Sequence, residues 1–189
     1  MATKTATKNG AKVDGKANGT ARNSNRSGAV RTFATSVEIP AENRERLIEQ
    51  LNEHLADAFD LMSQSKQAHW NVKGRDFYQL HELFDEIAAE AAEWVDELAE
   101  RVTALGGYAT GTVRMAAASS RLPEFPTDIT EGMEYVRALA DGLATFSNLA
   151  REGIDRAEEQ EDANTADLLT DLSREADKHL YFLEAHLQA

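Results

Sequence analysis

An all-α fold, with four long helices packed around one core, is what this sequence predicts, on three observations. Ala, Leu, Glu and Asp dominate a chain of 189 residues with only three prolines, and most of these residue types favour helix. Four stretches carry apolar residues stepping by threes and fours, the helical repeat, each over roughly 25–30 residues. No Val/Ile/Thr alternation of the strand kind is sustained, which argues against a β-sandwich or barrel. At about 150 residues per domain the length fits one domain and a tail.

The elements follow in order. Residues 1–35 are rich in Ala, Thr, Asn, Gly and Lys, with almost no large apolar residue before Phe33. Such a segment buries too little surface to offset its ordering entropy and is expected to be disordered. It lacks the apolar core of a secretory signal, and it has only a faint likeness to an organelle transit peptide. The domain is expected over 36–189. Its first helix begins after Pro40, with Glu42, Arg44 and Glu45 in the opening turn, on the stripe Leu47, Leu51, Leu55, Ala58, Met62, Ser65, His69. Asn71–Gly74 breaks it.

The second helix runs from Phe77 to Leu105, with Gly106-Gly107 as its C-cap. Its core stripe is Phe77, Leu80, Phe84, Ile87, Ala91, Trp94, Leu98, Val102 and Leu105. A connection over Tyr108–Asp128 holds Pro123, Pro126 and a short helix near Thr112–Ser119. The third helix covers Thr130–Glu159 on Met133, Val136, Ala140, Leu143, Phe146, Ala150 and Ile154. After a polar turn, the fourth carries Leu168, Leu169, Leu172, Ala176, Leu180, Leu183 and Leu187. Two short connections and one long crossover with its own helix match the plan of ferritin-like four-helix bundles.

Composition narrows the chemistry. With no cysteine, disulfides, thiolate metal sites and a cysteine nucleophile are excluded. No apolar run approaches the roughly 18–20 residues of a membrane helix. Charge is divided: residues 1–35 hold seven cations against Asp14 alone, a net of +6, so that residues 36–189 carry −19 of the total −13. An acidic body attracts cations and a basic arm attracts polyanions.

Five ligand-type residues stand out: His69, His81, Asp85, Asp96 and Glu100. His81/Asp85 and Asp96/Glu100 are each i,i+4 pairs sharing a helix face. Asp85 to Asp96 returns to nearly the same azimuth but advances roughly 16 Å along the axis, at about 1.5 Å per residue. One chain therefore cannot bring both pairs to one metal. Ala88, Ala92, Ala99 and Thr103 interleave with these candidates, and small residues let another helix approach. A two-fold dimer with antiparallel second helices would set His69, His81 and Asp85 beside the mate's Asp96 and Glu100. Imidazole with carboxylate suits iron, manganese or zinc. A diiron site inside the bundle would need Glu-x-x-His pairs. None exists, because Leu51, Lys66, Tyr78, Ala176 and Leu183 precede the five histidines by three.

Lys66-Gln67-Ala68-His69-Trp70-Asn71-Val72-x-Gly74, Phe77-x-x-Leu80-His81-Glu82-x-x-Asp85, Asp96-x-x-x-Glu100-Arg101 and Leu105-Gly106-Gly107 closely resemble the Dps family (DNA-binding protein from starved cells). Thr165-Ala166-Asp167-x-Leu169 and Asp177-Lys178 resemble its last helix, so the likeness spans roughly residues 40–189. The resemblance implies a dodecameric, hollow, cytoplasmic and nucleoid-associated shell with ferroxidase centres at two-fold interfaces. Each would hold two iron ions on His69, His81 and Asp85 of one subunit and Asp96 and Glu100 of its mate, near Trp70. Ferrous iron would be oxidised preferentially by hydrogen peroxide and stored as ferric mineral, protecting DNA.

Other features have plainer readings beside functional ones. His54, His179 and His186 belong to no ligand set and read as structural. Glu86, Glu90, Glu93 and Glu97 form either a solvated ridge or a mineral-nucleating face. Glu158, Glu159, Glu161 and Asp162 are candidates for an iron-entry pore. Lys4, Lys8, Lys12, Lys16, Arg22 and Arg26 are candidates for salt-sensitive, sequence-blind DNA binding, against the plain reading of a solubilising tail. The competing function is a structural, DNA-compacting nucleoid protein with little ferroxidase activity.

Overall fold

The computed structural model describes Met1 and residues 32–188. The arm cations from Lys4 to Arg26 lie outside the described residues. Five helices follow in order: α1 (Ala41–Asn71), α2 (Phe77–Ala104), α3 (Val113–Ser119), α4 (Gly132–Glu159) and α5 (Ala163–Leu187). The described residues contain no strand, and none of their helices is long and apolar enough to cross a membrane.

Two helical hairpins make the bundle: α1 packs chiefly on α2, and α4 on α5. The stripes expected from periodicity meet between them. Leu47, Leu51, Leu55, Leu80, Phe84, Ile87, Leu98, Val136, Leu143, Phe146, Leu169, Leu172 and Leu183 are buried in one core. Trp94 joins the layers, stacking on Phe146 of α4 with ring centroids 5.1 Å apart. Phe77 departs from its expected place in that stripe. It lies in the first turn of α2, beyond the end of the packed core, and is 39% exposed. Its ring instead lies against His81, 5.0 Å between centroids.

Helix boundaries follow local chemistry. The Thr112 hydroxyl accepts from Met115 N at the start of α3. Glu131 and Glu134 form a reciprocal capping box on α4, satisfying amides that would otherwise lack partners. The α1–α2 turn uses Gly74 at φ +110°, a conformation that side chains rarely tolerate.

Gly106 does more than end α2. It has φ +83°, and a Cβ there would sit 2.5 Å from the Phe33 carbonyl oxygen. The Phe33 amide donates to the Gly106 carbonyl at 2.6 Å, and the Thr35 hydroxyl donates to the Ala104 carbonyl. The chain thus meets the end of α2 ahead of residue 36, where the domain was expected to begin.

The long crossover is fastened to α1 by Arg121. Its guanidinium donates to Glu53 and to both Asp57 and His54, while its amide donates to Asp57. Ser120 adds a 2.6 Å bond to Asp60. Burial, and then the Arg121 and Arg156 charges, push His54 down to about 3. It is therefore a neutral core group, in keeping with the structural reading.

Candidate metal centre

The end of α1 supplies His69, and the first turns of α2 supply His81 and Asp85. The short α1–α2 turn places the imidazoles face to face, 3.7 Å between centroids and 19° from parallel. His69 Nδ1 lies 2.8 Å from the His81 carbonyl oxygen, and His81 Nδ1 lies 2.9 Å from the His69 carbonyl oxygen. A carbonyl only accepts, so each Nδ1 carries the proton and donates. Each ring is thereby fixed in the tautomer whose Nε2 lone pair remains for a metal. This clasp is invisible in the sequence, because half of every bond in it is backbone.

Asp85 Oδ1 lies 4.0 Å from His69 Nδ1, and the Lys66 ammonium is in direct contact with the same oxygen. That contact, with smaller contributions from the imidazoles, holds the Asp85 carboxyl below the usual carboxylate range. Lys66 was not singled out from the sequence for any role. The available signal was its place three residues before His69 on the same helical face. Trp70 follows His69 with 63% of its surface exposed.

Asp96 and Glu100 lie on the second half of α2, both exposed, beside exposed Ala92 and Thr103. The helix holds them far from His69, His81 and Asp85 of the same chain, by the axial rise already given. Among the described residues no three His, Asp or Glu side chains lie close enough together to hold a metal ion. What one chain presents is a clasped imidazole pair beside Asp85 and, separately, a solvent-facing carboxylate pair, Asp96 and Glu100.

The neighbouring acids divide into two kinds. Burial, and then the Glu175 carboxylate with which it shares a hydrogen bond, raise the Glu90 carboxyl. Burial followed by the charges of Glu175 and Asp171 raises Glu97. Glu175 in turn accepts from the Trp94 indole at 2.8 Å. The ridge of Glu86, Glu90, Glu93 and Glu97 is thus extended across a seam by α5. The i,i+4 spacing of Asp171 and Glu175 was the overlooked signal.

Asp162, also a candidate for the entry pore, differs from its neighbours in its surroundings. It is buried, caps α5 by accepting from the Thr165 amide and hydroxyl, and takes two bonds from Arg101 at 2.7 and 2.6 Å. Burial alone would raise its carboxyl, but Thr165 and Arg101 outweigh that and hold it low. Glu158, Glu159 and Glu161 stay exposed around it.

His179 is buried with both ring nitrogens unpartnered, and burial lowers its pKa. His186 Nδ1 lies 2.7 Å from the Phe182 carbonyl in the last turn of α5. Neither approaches the His69/His81 pair closely enough to join it as a third ligand.

Comparisons with known proteins fit this arrangement. The family model for a ferritin-like domain matches residues 48–189. A DNA protection during starvation protein of Agrobacterium fabrum is 39% identical over 159 residues, covering 84% of this chain and 98% of that one. DpsC from Streptomyces coelicolor superposes with TM-score 0.80 at 31% identity, over 84% of this chain and 92% of that one. The Dps protein of Vibrio cholerae O1, described as a member of a broad superfamily of ferritin-like diiron-carboxylate proteins, gives TM-score 0.76 at 28% identity, over 86% and 100%. With two helical hairpins, a helical crossover and a matching domain that spans most of its length, the chain belongs to the Dps family of ferritin-like proteins.

Proposed function

We propose that the protein stores iron and protects DNA by oxidising ferrous iron at centres shared between two subunits. The observation that carries this is the His69/His81 clasp. It leaves an Nε2 lone pair on each of two stacked imidazoles with the Asp85 carboxylate beside them, a donor set that one chain does not complete. Asp96 and Glu100 of a two-fold mate complete the set, with two iron ions per centre. The subunits form a dodecamer around a hollow store, as the family resemblance implies.

The chemistry suits the donors. Carboxylates accept ferrous and ferric iron alike, and a small set of mostly oxygen ligands leaves room for an oxidant. Hydrogen peroxide plus two ferrous ions and two protons gives two ferric ions and two waters. Drawing one electron from each of two ions avoids release of hydroxyl radical. The protein's part is position and charge. Trp70 beside the histidines serves as a sink for stray oxidising equivalents. The Glu86, Glu90, Glu93 and Glu97 ridge, extended by Asp171 and Glu175, gives ferric ions a carboxylate surface on which to nucleate. Glu158, Glu159 and Glu161 supply the acidic entry.

DNA is engaged by the arm through Lys4, Lys8, Lys12, Lys16, Arg22 and Arg26. Its charge is opposite to that of the body, and many tethered copies add avidity. The protein works in the cytoplasm, at the nucleoid. Anaerobic protein mixed with ferrous iron and peroxide tests the oxidation: the wild type should develop ferric absorbance rapidly and His81→Ala should not. Equal rates would reject the centre. For DNA, the full chain should retard duplex DNA at low salt and residues 36–189 should not; equal retardation would reject the arm.

A further inference from the structure

The seam between α2 and α5 holds a second set of metal-type residues, separate from the clasped imidazoles. Trp94 of α2 bonds Glu175 of α5, and Leu83 shares a groove with Phe182, so the two helices run antiparallel there. That register sets the i,i+4 pair Glu86/Glu90 against the i,i+4 pair Glu175/His179. Glu90 and Glu175 share a hydrogen bond, which two carboxyl groups can do only with a proton between them. His179 is 3% exposed, and neither of its ring nitrogens has a partner. Phe182 meets its ring edge-on, 6.2 Å between centroids. The charged groups that face it are Lys178, Glu86 and Glu175.

Each of these arrangements is unfavourable by itself. An imidazole buried without a hydrogen bond loses its water for nothing, and two carboxylates pressed together repel. A single cation relieves both, because imidazole nitrogen and carboxylate oxygen are each donors to divalent transition metals. We propose that Glu90, Glu175 and His179, with Glu86 at the rim, form a second cation site that takes one divalent transition-metal ion per chain. As folded, no three of the described acids and histidines converge on one point, since Glu90 is occupied by Glu175. Binding replaces the shared proton with the ion. The proton leaves to water, the half-buried Glu90 turns on its stem, and both carboxylates and one His179 nitrogen bond the metal. One O–H bond breaks and no electron moves. The Trp94 indole steadies Glu175 through a 2.8 Å bond. A nitrogen donor sets this site apart from the all-carboxylate ridge beside it. None of its residues belongs to the shared centre, so the two readings stand or fall separately.

The test titrates cobaltous chloride into full-length protein carrying His81→Ala, which disables the shared centre, and follows the visible absorbance of the bound ion. This parent should bind cobalt at the seam, with imidazole scattering at the cobalt X-ray edge. Adding His179→Phe should weaken that binding at least about tenfold, the scale of lost support at metal sites, and should remove its share of the imidazole scattering. Without cobalt the same variant should unfold at no lower temperature than its parent, because an unpartnered buried polar group has gone. A purely structural histidine would leave cobalt affinity unmoved. If His179→Phe fails to fold, His179→Leu takes its place. Glu175→Gln, which keeps an acceptor for the Trp94 indole, should weaken cobalt binding by a similar factor. Unchanged affinity in either the His179 or the Glu175 variant overturns the proposal, as does a parent that binds no cobalt.

Discussion

The two ends of α2 carry metal-type residues in contrasting states. At the start, His81 is clasped to α1 through paired imidazole–carbonyl bonds, and Asp85 is held by Lys66. Toward the far end, Asp96 and Glu100 stand exposed, while the backbone beneath them is fastened by Arg101 to the α4–α5 turn and by Gly106 to the entering chain. Nitrogen ligands need a defined tautomer and ring orientation, and the fold supplies both. Carboxylates need neither and can remain adaptable, provided that the helix under them is rigid. On the proposed shared centre, the difference would let a single helix serve two centres: one end offers prearranged donors, and the other exposed ones on a fixed base.

Breaking the ordered end has the largest expected effect. His81→Ala removes a donor and also one bond of the clasp that orients His69, so peroxide-driven ferric formation should fall by more than about 100-fold. Stopped-flow absorbance checks it, and a fall below tenfold would mean that the imidazoles are not ligands.

Next comes the base of the far end. Asp162→Ala leaves Arg101 without its buried partner, which should cost about 3–5 kcal/mol in guanidinium unfolding. The same carboxylate sets a pH dependence. Its folded pKa lies below its unfolded value, so its contribution is fully present above about pH 4 and is lost as pH falls through the lower, folded pKa. Acid unfolding of Asp162→Asn should show less of that loss than wild type.

Gly106→Ala places a side chain at φ +83° and against the Phe33 carbonyl. It should cost about 1–2 kcal/mol, and hydrogen exchange should rise at the Phe33 amide more than at the clasp. The smallest effect belongs to the seam midway along α2. Glu90 titrates above its usual value, so its carboxylate is a mild burden at neutral pH that vanishes in acid. Glu90→Gln should raise stability at pH 7 by about 0.3 kcal/mol, discounted for solvent screening. It should have no such benefit at pH 4, and it should slow mineral growth without slowing the first oxidation.

Much of this was legible in the residue order. The three-and-four stepping of Leu47, Leu51 and Leu55, or of Val136, Leu143 and Phe146, identifies the core because burial follows helical periodicity directly. The roughly 16 Å rise between Asp85 and Asp96 is likewise a property of any α-helix. Other features were not legible, for identifiable reasons. Phe77 fits the core stripe by azimuth, but azimuth does not reveal where the opposing hairpin ends. Asp162 looked like one more acid in a polar turn, and only the approach of Arg101 from α2 distinguishes it from Glu161. The His69/His81 clasp depends on carbonyl groups that every residue possesses. Glu175 becomes part of the acidic ridge only once α5 lies beside α2.

The central claim, that each centre draws ligands from two subunits, is tested most directly by complementation. His81→Ala and Glu100→Gln chains, each inactive alone, are unfolded together and reassembled as a mixture. In a mixed two-fold pair the defects fall together in one centre, leaving the other with native His69, His81, Asp85, Asp96 and Glu100. Peroxide-driven ferric formation should return in the mixture, in proportion to the mixed pairs. A mixture as inactive as its parents, with mixed pairs confirmed by mass, would contradict the shared centre.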